Sequence, residues 1–568
     1  MSGIDKIFDY LVPASMRDVL KVGDKVRVNL HGRRVGGWVV ALGEYGSLGF
    51  SDVSLDKLVE ITKRSGQGVV SHLVPLSTEI ASYYLGPLRA VLQSASSKHV
   101  TRSKGRPHHG ITSAQQVRDA KVHVVVVAPL DSVLSVVVGL AQHGSVLVVC
   151  PTVRMAVLGA AFLRRRGCTV ALMPDDWDQG LDGVDVAIGA RSAVWSPLAD
   201  ISAIVVVDEH DDSLKEERVP TWHAREVAIR RARMEDIPCY LCSSVPSAEA
   251  MSLVRSNGAI HETLPSTDGW PLIEAVDLSD VPVAGSLAST RMLQLVKQPS
   301  VSVLCILNTK GKARLLACAK CRTIVKCPQC SAAMASTDER IHHCGLCGYS
   351  APAVCSECGR TAFRVLRSGI GRLREEIAKS SGREVVEVDS GTEILDLGRH
   401  DGVYIGTEAL LHRVAGAQHV VFLDFDSELL QPRATAARDA MSLVIRAARV
   451  VGRGGSIILQ SHQIHHELVA ALTSAHLDAS SIEAWQQSDD AMRKLLVLPP
   501  YTSLARLRLD KDVNIADVCD DKIMTWAQET DNTYLVRSHD TVAFRDALLQ
   551  AREKHSHRIR VDIDPTRY

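Results

Sequence analysis

Aromatic residues are scarce in this chain: Phe, Trp and Tyr together make up 4% of its 568 residues. A protein that grips single strands mainly by base stacking needs many rings, so extended stacking is not expected to dominate any contact with nucleic acid. Charge of one sign is also not in excess, since 65 Lys and Arg balance 65 Asp and Glu. That excludes a polybasic or disordered polyacidic class, and phosphate contact must come from local clusters. Long apolar runs are missing apart from a valine-rich stretch at 122–151, which is broken by glycine and proline and reads as strands rather than a membrane span. With no basic segment leading into an apolar one at the N-terminus, a cytoplasmic protein without membrane contact is expected. Finally, Gly-Lys-Ser and Gly-Lys-Thr occur nowhere, and the turn from Ala128 to Leu134, which follows the first valine strand, holds neither glycine nor lysine.

What is present is enough apolar material for several cores. Hydrophobic residues are 46% of the chain, and a single core stops growing at roughly 250 to 300 residues, so two to four domains are expected. Short β-branched runs such as VHVVVVAP, SVLVVCP and AIVVVDEH alternate with helical stretches from Val122, and the pattern resumes with SVSVLCILN, DGVYIGTEAL, HVVFLDFD and GSIILQS. Runs of this kind mark parallel strands buried on both faces, hence two doubly wound sheets in a multidomain α/β protein. The boundaries expected are a small β-rich domain over 1–100, a Ser/Gly/Lys/His-rich linker over 101–118, a first lobe over 119–265, a second over 266–500 carrying an insertion at 314–365, and a small α+β domain over 501–568. Basic stretches at 21–34, 102–109 and 552–560 are candidate phosphate contacts, although such runs are more often solvated faces.

Eight of the 14 cysteines form four CxxC pairs: Cys318/Cys321, Cys327/Cys330, Cys344/Cys347 and Cys355/Cys358. Two intervening residues let one tight turn aim both sulfurs at one ion, and two such turns complete a tetrahedral four-thiolate zinc site. Five residues separate the first pair from the second, against 13 between the second and third. The latter is ribbon-like spacing, so nested pairing is expected: Cys327, Cys330, Cys344 and Cys347 on one zinc, and Cys318, Cys321, Cys355 and Cys358 on the other. His342 and His343 are expected to be bystanders. Four thiolates leave no open position for water, so two structural or partner-binding Zn2+ ions are expected rather than a catalytic one.

Five segments in order resemble the PriA family of replication-restart helicases, the primosomal proteins N′ of helicase superfamily 2. They are FDYLVP (8–13) with VGDKVRV (22–28), the block GARSAVWSPLADISAIVVVDEHDDSLKEERVPTWHAREVAIRRA (189–232), the cysteine block, GIGRLREE after it, and LLVLPPYTSLARL (495–507). The resemblance implies two RecA-like lobes, a 3′-end-binding domain at the start and an inserted double zinc module. Measured against the family, the phosphate loop is gone, and the remaining motifs have drifted. The acidic motif survives as DEHD (Asp208, Glu209, His210, Asp211), one residue short, SATPS reads SSVPS (243–247), and Arg453 stands where an arginine finger would. A winged-helix domain is not expected, because only about 20 residues join the first domain to the first lobe.

By resemblance, Asp9 helps receive a terminal nucleotide and its 3′-hydroxyl, with Phe8 and Tyr10 shaping the pocket and Arg27, Arg33 and Arg34 on phosphates. The expectation is a primosome protein without catalytic residues of its own. It recognises abandoned forks, 3′ ends and recombination intermediates, then recruits helicase-loading proteins and single-stranded DNA-binding protein, using no ATP or Mg2+. Two rivals stand beside it. One is a working ATP-dependent 3′-5′ helicase with an unusual phosphate site, and the other is a zinc-dependent adaptor that binds no DNA.

Overall fold

The computed structural model describes residues 6–47, 54–97, 121–266, 269–280, 287–308, 316–338, 341–345, 347–365, 370–388, 402–414, 416–555 and 558–568. The linker expected at 101–118 and the basic stretch at 102–109 lie outside the described residues. The chain divides into two compact units, one made of 1–126, 132–263 and 493–566, the other of 127–131, 264–492 and 567–568.

The first unit opens with a three-stranded antiparallel sheet in which Asp24–Leu30 lies between Arg33–Trp38 and Lys63–Gln67. Alternation along Asp24–Leu30 buries Val26 and Val28 and turns Arg27 and Asn29 outward. Val26 and Val28 close a small core with Leu20, Val39 and Ile61. Helices Leu73–Tyr83 and Leu88–Ser94 lead to a wholly parallel seven-stranded sheet. Its order is Ala259–Thr263, Val122–Val126, Cys239–Ser243, Ile201–Val207, Ser145–Val149, Val186–Gly189, Val170–Met173. Ile201–Val207 is buried at every position, as a β-branched run covered on both faces must be.

The C-terminal stretch returns to this same unit. Thr525–Thr530, Thr533–Ser538, Ser503–Leu509 and Ile559–Ile563 form an antiparallel sheet, joined by helix Thr541–His555. Leu507, Val536, Phe544 and Val561 belong to one apolar cluster with Leu73, Ile80, Trp195, Ile204 and Leu241. Lys215 ties the two together by donating Nζ to the carbonyl of Ile563 at 2.6 Å and pairing with Asp562 at 2.9 Å.

The second unit holds a six-stranded parallel sheet ordered Leu272–Asp277, Ser456–Ser461, His419–Phe422, Val303–Ile306, Val403–Gly406, Val385–Val388. The cysteine block is inserted after Val303–Ile306. It builds the pair Leu316–Cys318 with Phe363–Val365 and the three-stranded sheet Met334–Asp338, Ile341–Cys344, Ser350–Pro352. The chain is thus a multidomain α/β protein with two parallel doubly wound sheets, small antiparallel sheets at both ends of the first unit, and an inserted cysteine module.

Candidate nucleic-acid interface and metal centres

The turn after Val122–Val126 decides whether a nucleotide phosphate has amides to meet. Leu130 N donates to Gly269 O at 3.2 Å, and Asp131 N to Ala128 O at 3.0 Å. At the start of helix Leu134–Ala141, Leu134 N donates to Ser132 Oγ at 3.3 Å, and Ser135 N and Val136 N donate to Ser132 O and Val133 O, each at 3.1 Å. These five amides, which could otherwise point at an anion, are engaged by the protein's own oxygens. Asp131 adds a carboxylate, which has the wrong sign for a phosphate neighbour, and Arg453 approaches it at 3.9 Å while remaining 65% exposed.

The four residues of the acidic motif sit at the C-terminal end of Ile201–Val207 and have separate partners. Asp208 is buried, with φ 49° in the left-handed region where aspartate is among the tolerated residues. Glu209 is fully buried. Ser247 N donates to its Oε1 at 2.6 Å, Ser247 Oγ to its Oε2 at 2.8 Å, and Arg225 Nη1 to Oε2 at 3.0 Å. Burial works against the Arg225 charge, yet the carboxylates of Glu209, Glu249 and Glu226 outweigh it and hold the guanidinium above its ordinary range. Val245 N donates to Ser243 Oγ at 3.1 Å, and the same hydroxyl shares a hydrogen bond of 2.6 Å with Nδ1 of His210. Asp211 receives Ser213 N at 2.9 Å and Ser213 Oγ at 2.6 Å, a cap on the short helix that follows.

The surrounding block is similarly structural. Arg231, with no exposed surface, donates to the carbonyls of Val194 and Ser196 at 2.7 and 2.9 Å and pairs with Glu235 at 2.8 Å. Trp195 and Trp222 meet edge to face, ring centres 5.8 Å apart. Arg191 Nη1 donates to Ser213 O and Lys215 O at 3.2 and 2.9 Å. None of these long-range partners is visible in the motif letters alone.

In the cysteine module, Cys318, Cys321, Cys355 and Cys358 come together, as do Cys327, Cys330, Cys344 and Cys347, with all sulfurs of a set within 4.8 Å of one another. The closest pairs are Cys321 to Cys355 and Cys327 to Cys347, each at 3.4 Å, and Cys318 to Cys358 and Cys330 to Cys344, each at 3.5 Å. A tetrahedron with Zn–S bonds of about 2.3 Å has edges of roughly 3.8 Å, so both sets have the size and donor chemistry for a metal ion. Neither histidine joins a set. His342 is buried with its ring edge-on to Phe363, centres 4.4 Å apart, and His343 Nδ1 meets Ser350 Oγ at 3.1 Å.

At the start of the chain, Phe8 is 42% exposed, Asp9 and Tyr10 are half-buried, and the Tyr10 hydroxyl donates to Asn29 O at 3.3 Å. The Tyr10 ring packs against the small core of the sheet. Arg27 and Arg34 line one cavity of about 400 Å3 together with Lys63 and Ser65, two residues that sequence reasoning missed. Arg33 stands opposite Leu30 at the hairpin end, and neither it nor Phe8, Asp9 or Tyr10 lines that cavity.

Residues 1–97 match the model of a 3′DNA-binding domain (3′BD). Replication restart protein PriA of Haemophilus influenzae is 26% identical over 388 residues, 63% of this chain and 52% of the relative. That of Bacillus subtilis is 26% identical over 372 residues, 60% and 45% of the two chains. The probable PriA of Mycobacterium tuberculosis is 27% identical over 525 residues, 80% of this chain and 78% of the relative. The chain is similar in sequence to PriA proteins. Its matched stretch spans about half the length of the first two PriA proteins and over three quarters of the third. Among solved structures, RecG bound to a three-way DNA junction is similar at 10% identity and a TM-score of 0.37, covering 67% of this chain and 47% of that one. The PriA relationship therefore rests on sequence, and the lobes rest on their strand order. Among the described residues no helix is long and apolar enough to cross a membrane.

Proposed function

We propose that this chain is a replication-restart protein that recognises abandoned or stalled forks and recombination intermediates by their structure and recruits the proteins that reload the replicative helicase, without ATP-driven unwinding. The observation that carries the reading is the turn from Ala128 to Leu134. It has no glycine or lysine, the amides of Leu130, Asp131 and Leu134 are engaged internally, and it presents Asp131. Phosphoryl transfer is catalysed mainly by positioning and charge, and a site without the lysine and the amide nest lacks both. Glu209 supports the same reading. A base that aligns an attacking water needs an oxygen to offer, and three donors from the protein already engage both oxygens of this fully buried carboxylate.

On this reading the two thiolate sets hold Zn2+, which orders the module and presents it to partner proteins and single-stranded DNA. Asp9 receives a 3′-hydroxyl, beside Phe8 and Tyr10, and Arg27, Arg33 and Arg34 contact phosphate. The deciding experiment is ATP turnover by the zinc-loaded chain, with and without forked DNA carrying a free 3′ end, alongside fork binding by gel shift. Tight fork binding with turnover at the buffer level is expected. DNA-stimulated turnover would move the active-helicase reading into first place, and absent fork binding would favour the adaptor.

A further inference from the structure

In helix Val153–Arg165 of the first unit, mostly small side chains face the core and larger apolar ones face solvent. The inner face is Ala156, Gly159, Ala160 and Leu163, all buried. Packing there is close: a Cβ at Gly159 would meet Ile188 Cδ1 of the parallel sheet at 2.9 Å and Leu134 Cδ1 of helix Leu134–Ala141 at 3.4 Å. On the other side Val153 is 68% exposed, Leu158 59% and Val157 44%. A surface helix turns polar residues to solvent, so three branched apolar side chains on that side mark a face that something covers. Half-buried Val138, one turn on from Leu134, extends the apolar surface onto the neighbouring helix.

Charge on this surface has one sign. From Val153 to Arg166 the chain carries Arg154, Arg164, Arg165 and Arg166 and no Asp or Glu, and Leu134–Ala141 carries no charged residue. Positions 154, 158, 161 and 165 follow i, i+4, i+7, i+11 spacing, so Arg154, Leu158, Ala161 and Arg165 form one ridge away from the buried face. Its two arginines stand roughly 16 Å apart along the axis. Arg164 is used within the fold, donating Nη2 to Val170 O at 2.9 Å and approaching Asp176 at 3.8 Å. The Arg166 guanidinium lies 5.1 Å over the Phe162 ring. Arg165 is exposed, and among the described residues it makes no ion pair.

We infer that this face docks an amphipathic helix of a partner protein, apolar along one side and acidic at its margins, laid along the ridge from Arg154 to Arg165. Apolar anchors recurring at i, i+3, i+4 and i+7 of such a helix match a ridge of the same period. A second copy of the chain does not fit, because in either alignment of two identical ridges guanidinium meets guanidinium. A phosphate backbone answers the arginines but would lie across the apolar centre between them. The inference names a surface for the recruiting step of the reading above and rests on that reading for its role. Helix binding is measured without DNA, so the two fail separately.

The test uses the full chain and fluorescence anisotropy with a labelled designed helix of about 18 residues, leucines along one side and glutamates flanking them. Competitors are the same composition in scrambled order, polyglutamate, oligothymidine and phosphatidylglycerol vesicles, and a second labelled helix carries lysine for glutamate. The acidic helix should bind. Leu158→Asp and Val157→Ser should each weaken it about tenfold while thermal melting stays at the wild-type value, because both side chains lie in solvent. Arg165→Glu should weaken the acidic helix several-fold and gain the lysine helix, a reversal that a merely structural arginine does not give. No binding, or binding unchanged in Leu158→Asp and Arg165→Glu, overturns the face. Equal competition by the scrambled peptide, polyglutamate, oligothymidine or the vesicles overturns it as well. A wild type that self-associates in sedimentation velocity and becomes monomeric in Leu158→Asp replaces the partner helix with a second copy. Fork binding by gel shift reports separately: a wild type that binds the acidic helix but no fork keeps the docking face and sinks the recruiting role.

Discussion

Glu209 is the residue at which a motor and a scaffold make opposite predictions. In a working site an unsatisfied carboxylate is a source of strain, and replacing it often leaves stability unchanged or raised while activity falls. Here Arg225 is 9% exposed and depends on Glu209 for a direct bond, with Glu226 and Glu249 farther away at 3.5 and 3.9 Å. Removing one partner of a buried pair strands the other, so Glu209→Ala should cost about 3 kcal/mol in urea denaturation, reduced somewhat by the two remaining glutamates. A variant as stable as the wild type would make Glu209 a catalytic candidate. Glu235 gives a pH test in the same unit. Burial would raise its carboxyl, but the charges of Arg231 and His72 prevail and hold it at about 2 against an ordinary 4.5. The sign follows from the depressed value: the stabilisation is fully present above pH about 4.5 and is lost as pH falls toward 2. The span corresponds to a contribution on the order of 3 kcal/mol. Glu235→Gln should remove that part of the acid dependence, measured by denaturation midpoints between pH 5 and 2.5.

At the scale of elements, the cysteine module allows a pairing test that does not depend on function. Nested sets predict a stoichiometry by elemental analysis: the double variant Cys318→Ser with Cys355→Ser should lose one of two metal equivalents, because both residues belong to one set. Cys318→Ser with Cys327→Ser should lose both, because each removes a ligand from a different set. Equal losses in the two double variants would contradict the pairing. This arrangement was legible in the letters, since spacing alone limits which knuckles can meet. The parallel strands were legible for a similar reason: Ile201–Val207 and Ser145–Val149 are apolar runs because both faces are covered. Edge strands were not. Ala259–Thr263 borders the first sheet with His261, Glu262 and Thr263 exposed, so no apolar run announces it. The Glu209, Ser247 and Arg225 contacts were also invisible, because they join three elements through positions 16 to 38 residues apart. Lys63 escaped notice because it meets Arg27 across a register that only the folded sheet defines.

At the scale of the molecule, chain order and compactness disagree. A reading along the chain places a separate small domain after residue 500, yet residues 493–566 fall into the same compact unit as 1–126 and 132–263. Their apolar side chains belong to one cluster with those of the N-terminal helices and the first parallel sheet. A shared core should melt as one cooperative element, whereas both thiolate sets belong to the other unit. Phe544, in the C-terminal helix, is 1% exposed, and Phe544→Ala should cost about 3 to 4 kcal/mol through the cavity it leaves. In calorimetry that substitution should lower one transition, and hydrogen exchange should speed up in parallel along Ile201–Val207 and Leu73–Tyr83. Metal chelation should lower the other transition and leave exchange along Ile201–Val207 unchanged. A chelator that shifted both transitions equally would show that the two units unfold together, and Phe544→Ala accelerating exchange only within 541–555 would show that the C-terminal helix does not share the core's cooperativity.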